Sequence, residues 1–186
     1  MPDFKSIAAP FSQRVILVYF DLRKFSYIEK NFDCTGIYQE LNRMHETICD
    51  LVAVEDGFCI RFIGDNTMVL FDSSRLEKLP DLLHKIKSSV DGYFRDKGFP
   101  CGLHVLAHIG NGNIGMLGGR EKKSIDVSGD VLNLIGYCIF LVDSSDNKEL
   151  FNGFVVSADF HQALPAPERE KFREIEVQSK KMYLFT

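Results

Sequence analysis

The sequence predicts an α+β domain built on a ferredoxin-like, palm-like antiparallel sheet with helices packed against it. Two observations carry this. Patterns for strand, helix, hairpin, helix and strand follow one another in that order, and both helical stretches are amphipathic, so each needs an apolar face to cover. At 186 residues there is enough chain for one substantial core, and residues 1–186 are read as a single domain.

From Val15 to Phe20 the chain is continuously apolar, β-branched and aromatic, and Asp21 follows; this predicts a buried strand with a carboxylate at its C-terminal end. From Tyr27 to Val54 the residues Ile37, Leu41, Met44, Ile48, Leu51 and Val52 recur at helical intervals, which predicts one long amphipathic helix. Gly57–Ile63 and Thr67–Phe71 are strand-like runs joined by Gly64, Asp65 and Asn66, the turn chemistry of a β-hairpin. A second helix is expected over Leu79–Arg95, with Pro80 tolerated in its first turn and Gly98 and Pro100 stopping it. A strand over Cys101–Ile109 comes next. Five glycines between Gly110 and Gly119 then predict tight turning or close backbone approach. A short strand near Ile125, a helix over Asp130–Val142 and strands at Phe154–Val156 and Met182–Phe185 complete the pattern.

Several functional classes are disfavoured. A net charge of −4 lacks the positive field that holds a nucleic-acid backbone. The longest apolar stretch, Val131–Val142, covers 12 residues and includes Asn133, short of the roughly 20 needed to cross a bilayer. The opening MPDFKSIAAPFSQR has no apolar run of signal-peptide length, so a cytoplasmic protein without a membrane partner is expected. The five cysteines are scattered without zinc-site spacing and are read as reduced core residues.

Chemistry is expected where Asp21 and Asp65 meet. In a ferredoxin-like sheet the first strand lies beside the hairpin, so the two carboxylates converge at one edge. Hard Mg²⁺ is held by one or two carboxylates together with phosphate oxygens, so such a pair suits a metal–nucleotide complex. The chain from Leu22 to Ser26 opens a helix just after Asp21, and exposed amides around Phe25 and Ser26 can receive phosphate, with Arg23 and Lys24 adding positive charge.

Three segments resemble the class III adenylate and guanylate cyclases in order and spacing. VILVYFDLRKFS is similar to that family's first strand, metal aspartate and phosphate-binding turn. GFCIRFIGDNTMVLF resembles its hairpin, and GLHVLAHIGNGNIGMLGG followed by IDVSGDVLNL resembles its glycine-rich strand and base-recognition helix. The likeness covers Arg14 to Val142 and recurs at KKMYLF. It implies class III cyclase architecture, with a nucleoside triphosphate as substrate and two divalent cations, Mg²⁺ or Mn²⁺, at Asp21 and Asp65. It also implies that Arg61 and Asp126 face the nucleobase, that Asn133 orients the ribose, and that the active form is a homodimer whose composite sites take metal residues from one protomer and base residues from the other.

The chain departs from the family at the transition-state arginine and in a shortened C-terminal segment around the phosphate-binding lysine. Tyr137 stands where the family has a transition-state arginine, and a phenol cannot supply a bidentate cation; losing one costs roughly 10³-fold in rate. Arg120, Lys122 and Lys123 are basic candidates for compensation. The family's C-terminal phosphate-binding lysine falls on Lys180 or Lys181.

An obligate donor at Arg61 and an acceptor at Asp126 complement adenine and cytosine; uracil fits in a shifted pose, and guanine fits worst. The chain resembles the bacterial pyrimidine cyclases of anti-phage (Pycsar-type) signalling, which implies UTP or CTP as substrate and an effector activated by the cyclic product. A stand-alone adenylate cyclase and a cyclase-shaped dimer that binds nucleotide without turnover are the alternatives. DLRKFSYIEKNF also loosely resembles the metal segment of diguanylate cyclases, whose Gly-Gly-Asp/Glu-Glu-Phe signature is absent here.

Overall fold

The computed structural model describes Ile7 and residues 9–186. The chain begins its central strand β1 at Phe11–Arg23, and two helices follow, α1 (Ser26–Asn31) and α2 (Cys34–Val54). The hairpin is β2 (Phe58–Ile63) and β3 (Asn66–Asp72); a 3₁₀ turn at Ser73–Lys78 leads into α3 (Leu79–Asp96) and β4 (Gly102–Gly118). β5 (Lys123–Ser128) folds back on the end of β4 and is followed by α4 (Asp130–Asp143) and α5 (Lys148–Phe151). The C-terminal part adds β6 (Phe154–Ser157), α6 (Ala158–Ala163), α7 (Ala166–Arg169), β7 (Phe172–Val177) and β8 (Lys180–Phe185).

The sheet has eight strands in the order β2-β3-β1-β4-β6-β8-β7, with β5 paired to β4. Its first four strands have the ferredoxin-like order that the sequence predicts. Pairing is antiparallel except between β4 and β6, which run parallel.

Strand alternation divides the molecule into two cores. Ile16, Val18, Phe20 and Leu22 of β1 point to one side, where α2 and α3 cover them with Met44, Ile48, Leu83 and Phe94. Val15 and Leu17 point to the other, where α4 covers them with Val131, Ile135, Cys138 and Leu141. β1 is therefore apolar on both faces through its middle, which explains its unbroken run of large side chains.

Three expectations change and one holds. The helix predicted from Tyr27 to Val54 is broken at Phe32, which is extended, and restarts where the Asp33 side chain accepts a hydrogen bond from the Gly36 amide at 2.8 Å. A side-chain carbon on Gly36 would lie 2.9 Å from the Phe32 ring, so glycine permits this corner. The glycine-rich segment shows both roles expected of it: it continues as strand to Gly118, where a carbon added at Gly112 would meet Val127 at 2.8 Å and Val131 at 3.0 Å, and Gly118, at φ 147°, opens the turn into β5. β1 extends two residues past Asp21, so the carboxylate lies inside the strand rather than ending it. Of the five cysteines only Cys101 and Cys138 are buried, Cys49 and Cys59 are half-buried and Cys34 is exposed, all as free thiols. No helix of the described residues is long and apolar enough to cross a membrane.

The hairpin is seated on α2 through Gly57, where an added carbon would lie 2.6 Å from Val52 and closer still to the Phe71 ring. Gly57→Ala is therefore expected to destabilise the fold by about 1–3 kcal/mol through overpacking, measured by urea denaturation.

Candidate active site

Register brings the two aspartates together. Asp21 of β1 pairs with Asn66 of β3, one residue beyond Asp65 at the hairpin tip. The Leu22 amide donates to the Asp65 carbonyl at 3.4 Å and the Tyr19 hydroxyl donates to Asn66 at 2.8 Å, which fixes the tip against β1. Asp21, Asp65, Phe25 and Ser26 line one open cavity of about 510 Å³ with Arg23 and Glu29. The first helical bonds run from the Tyr27, Ile28 and Glu29 amides to Lys24 and Phe25 carbonyls, which leaves the Phe25 and Ser26 amides ahead of the first helical bond. Lys24, at φ 64°, makes the left-handed turn between β1 and α1.

Burial sets the electrostatics. Asp21 is 9% exposed, and burial pushes its carboxyl up to about 6; Arg23 pulls it down and Asp65 adds to the rise. Asp65 is also raised, mainly by burial. The Arg23 guanidinium meets Asp21 at 2.9 Å and Asp143, at the end of α4, at 2.6 Å, and lies 5.1 Å over the Phe151 ring. This is not the solvated basic residue at a helix start that its sequence position suggests. It is a strand residue, largely buried, that ties β1 to α4.

The donor set fits a divalent cation. Two hard carboxylates, each raised by burial, face one cavity beside amides able to hold phosphate, and a cation there offsets the cost of keeping both ionised. Among the described residues no group of three or more His, Cys, Asp or Glu side chains gathers to enclose a metal, so the remaining coordination would come from water and phosphate oxygens.

The other predicted residues lie elsewhere. Arg61 of β2 and Asp126 of β5 bond directly, Nε to the two carboxylate oxygens at 2.8 and 3.0 Å, and are half-buried. Asn133 and Tyr137 are exposed, one turn apart on α4. Tyr137 lines a second recess of about 200 Å³ with Lys180, Lys181, His108 and Cys138. On β8, Lys180 alternates with Met182 and Leu184 and so shares the α4 side, whereas Lys181 faces the other way and pairs with Glu174 at 2.9 Å. Arg120 and Lys122 sit in the turn between β4 and β5, and Lys123 opens β5, all exposed. Asn133 lies about 15 Å along α4 from Asp143, the residue that touches Arg23. One chain thus keeps the Asp21–Asp65 cavity apart from a second set of groups on α4 and β8, with the Arg61–Asp126 pair at a third place.

No protein-family model matches the sequence, and no curated protein sequence does. Solved structures match its fold over nearly the whole chain. The adenylyl cyclase CyaB from P. aeruginosa superposes with a TM-score of 0.76 at 13% identity, over 96% of both chains. The guanylyl cyclase Cya2 gives 0.67 at 15% identity over 94% of this chain and 92% of its own. The guanylate cyclase domain of RhGC from Catenaria anguillulae, solved in complex with GTP, gives 0.69 at 16% identity over 96% and 98%. The chain has the class III cyclase fold.

Within this cyclase fold, two residues matter that the sequence reading did not single out in these roles. His45 of α2 holds the hairpin tip, with Nδ1 2.7 Å from the Thr67 hydroxyl and Nε2 3.0 Å from the Gly64 carbonyl, next to Asp65. Its position in a helical pattern gives no sign of this. Arg23 is visible only as a basic residue two places from Asp21, a spacing that puts both on one strand face.

The burial of Asp21 makes a pH prediction. Below about pH 4 both folded and unfolded states hold the proton; between about 4 and 6 the unfolded chain ionises while the folded one keeps its proton, so stability falls as pH rises through this window. Asp21→Asn should remove that fall. In metal-free buffer the variant is expected to be more stable than the parent at pH 7 by roughly 2–3 kcal/mol, with the difference vanishing below pH 4, read from denaturation at each pH.

Proposed function

We propose that the protein is a nucleotidyl cyclase that closes a nucleoside triphosphate into a 3′,5′-cyclic monophosphate and releases pyrophosphate. The observation that carries this reading is the convergence of Asp21 and Asp65 with the Phe25 and Ser26 amides in one cavity, on a fold shared with adenylyl and guanylyl cyclases.

The active form proposed is a head-to-tail homodimer, because the second set of groups, Asn133, Tyr137 and Lys180, lies on a different exposed surface of the same chain. Apolar side chains exposed on the hairpin tip (Phe62, Ile63), on the β4 arm (Met116, Leu117) and on α4 (Leu134, Phe140) supply area for such an interface.

Asp21 and Asp65 would hold two divalent cations, Mg²⁺ or Mn²⁺, which would supply charge stabilisation to the phosphate and lower the pKa of the 3′-hydroxyl. The Phe25 and Ser26 amides hold phosphate oxygens. From the partner protomer, Asn133 orients the ribose, Tyr137 donates a hydrogen bond and Lys180 offsets negative charge. Lys180 is preferred to Lys181 because Lys181 is paired with Glu174 on the opposite face.

Arg61 and Asp126 are proposed to read the base edge. In the unliganded chain they satisfy one another, and a base shares both, so a poorly matched base leaves a buried polar group unpaired. The substrate proposed is UTP or CTP, with ATP next and GTP last, and the cyclic pyrimidine nucleotide would act on an effector in anti-phage defence. Triphosphates and reduced thiols both belong to the cytoplasm, the compartment proposed for the activity.

The second reading is a cyclase-shaped dimer that binds nucleotide without turnover, favoured by the tyrosine at 137. Incubation with ATP, GTP, CTP and UTP separately, with products identified by mass, separates the two. A cyclic pyrimidine monophosphate and pyrophosphate are expected; preferential GTP turnover would remove the base assignment, and binding without product would establish the second reading. Asp65→Ala and Asn133→Ala are each expected to lose at least about 10²-fold in rate. Mixing the two should restore part of the activity through one intact site per mixed dimer, and failure of verified mixed dimers to do so would exclude shared sites.

A further inference from the structure

The β2–β3 hairpin meets α2 along a seam with three contacts. His45 holds the tip, Val52 packs against Gly57 at the base, and between them Cys49 of α2 faces Cys59 of β2. The two Sγ atoms are 3.0 Å apart, and both residues are free and partly open to solvent. A disulfide needs an S–S distance of about 2.05 Å, so closure requires about 1 Å of movement. His45 and Cys49 are four residues apart on one helix face, so the same side of α2 grips the hairpin at both points.

We propose that Cys49 and Cys59 are an oxidisable dithiol, converted by a hydroperoxide into an intrachain disulfide that clamps the hairpin to α2. The Cys49 sulfur attacks one peroxide oxygen, the O–O bond breaks, and a sulfenic acid and one water result when hydrogen peroxide is the oxidant. The Cys59 sulfur then attacks the Cys49 sulfur and displaces the hydroxyl as a second water. Two thiols and one peroxide become one disulfide and two waters, with sulfur oxidised and peroxide oxygen reduced.

The surroundings assign the order of attack. Hydrogen bonding with Cys59 holds the Cys49 thiol below its ordinary value, and the same contact together with burial pushes Cys59 up, so Cys49 supplies the thiolate. Cys101 and Cys138 are buried, and Cys34 is exposed but is not part of this seam. The pairing register of β2 with β3 shifts between Cys59 and Arg61, so the clamp acts on the strand just before the Arg61–Asp126 pair and on the hairpin that carries Asp65. The inference does not rest on the cyclase reading.

The tryptic peptide spanning 44–61 contains both cysteines and no other, so its mass reads the reaction directly. The reduced full-length protein is treated with about one equivalent of hydrogen peroxide, quenched with an alkylating agent and digested. Loss of two hydrogens from this peptide, reversed by dithiothreitol, is expected. Cys59→Ser, or Cys49→Ser should the first fail to fold, should abolish that loss and leave the remaining thiol alkylated or oxygenated. The melting temperature of the oxidised protein is expected to rise by roughly 5–10 °C. Oxygen added to the peptide without loss of hydrogen, an unchanged peptide while Cys34 is oxidised, or a melting temperature that does not rise would each overturn the proposal.

Discussion

Asp21 lies within the central strand with little access to water, and Arg23 meets its carboxylate at 2.9 Å while reaching Asp143 at 2.6 Å. The position of the candidate site depends on this contact. A carboxylate buried alone would take up a proton or destabilise the sheet, and an isolated guanidinium would be equally costly. The network offsets both costs, and because Asp143 closes α4, it also fixes the end of the helix that carries Asn133 and Tyr137. The carboxyl nevertheless remains raised to about 6, so the offset is incomplete. On the proposed reading, a bound cation would offset the rest of this cost.

The two sides of the sheet divide the labour. α2 and α3 close one side with an apolar core in which Phe20, Phe71 and Phe94 are fully buried. On the other side, Asp21 and Arg23 belong to the same alternating set of β1 residues as Val15 and Leu17, and α4 covers only part of that surface. His108 belongs here too, buried with Nδ1 2.8 Å from the Ser157 hydroxyl. The α2–α3 side sets the positions of β1 and the hairpin through α2, and the α4 side presents the polar groups. Changing α2 contacts such as His45 or Gly57 therefore reaches the aspartates without touching them.

What the sequence made legible follows from periodicity. β1, the hairpin, α3 and α4 carry patterns strong enough to order the ferredoxin-like core, and the strand order then requires Asp21 and Asp65 to be neighbours. The break between α1 and α2 was hidden because it comes just before the regular apolar repeat begins at Ile37, and a single capping aspartate decides it. The glycines of β4 signal close packing and turning equally well, and only α4 and β5 pressing on Gly112 distinguish the two. β7 was missed because FREIEV interrupts apolar alternation with charge. The roles of Arg23 and His45 depend on partners 120 and 19 or more residues away in sequence, which no local pattern contains.

The distribution of charge around Tyr137 bears on how the proposed cyclisation would handle its phosphate. An arginine in that place would offer a planar fork aimed at two oxygens, whereas a phenol offers one donor and no charge. Lys180 lines the same recess from β8 on the α4 side, and among the described residues no ion pair engages it. A lysine ammonium is a compact charge on a flexible stem, so it neutralises phosphate without dictating the direction of approach. On the proposed reading, charge and direction, which one arginine would combine, are divided between Lys180 and Tyr137. Orientation of the triphosphate then rests more heavily on the Phe25 and Ser26 amides, which the backbone fixes, and on the Arg61–Asp126 pair, whose two side chains hold one another.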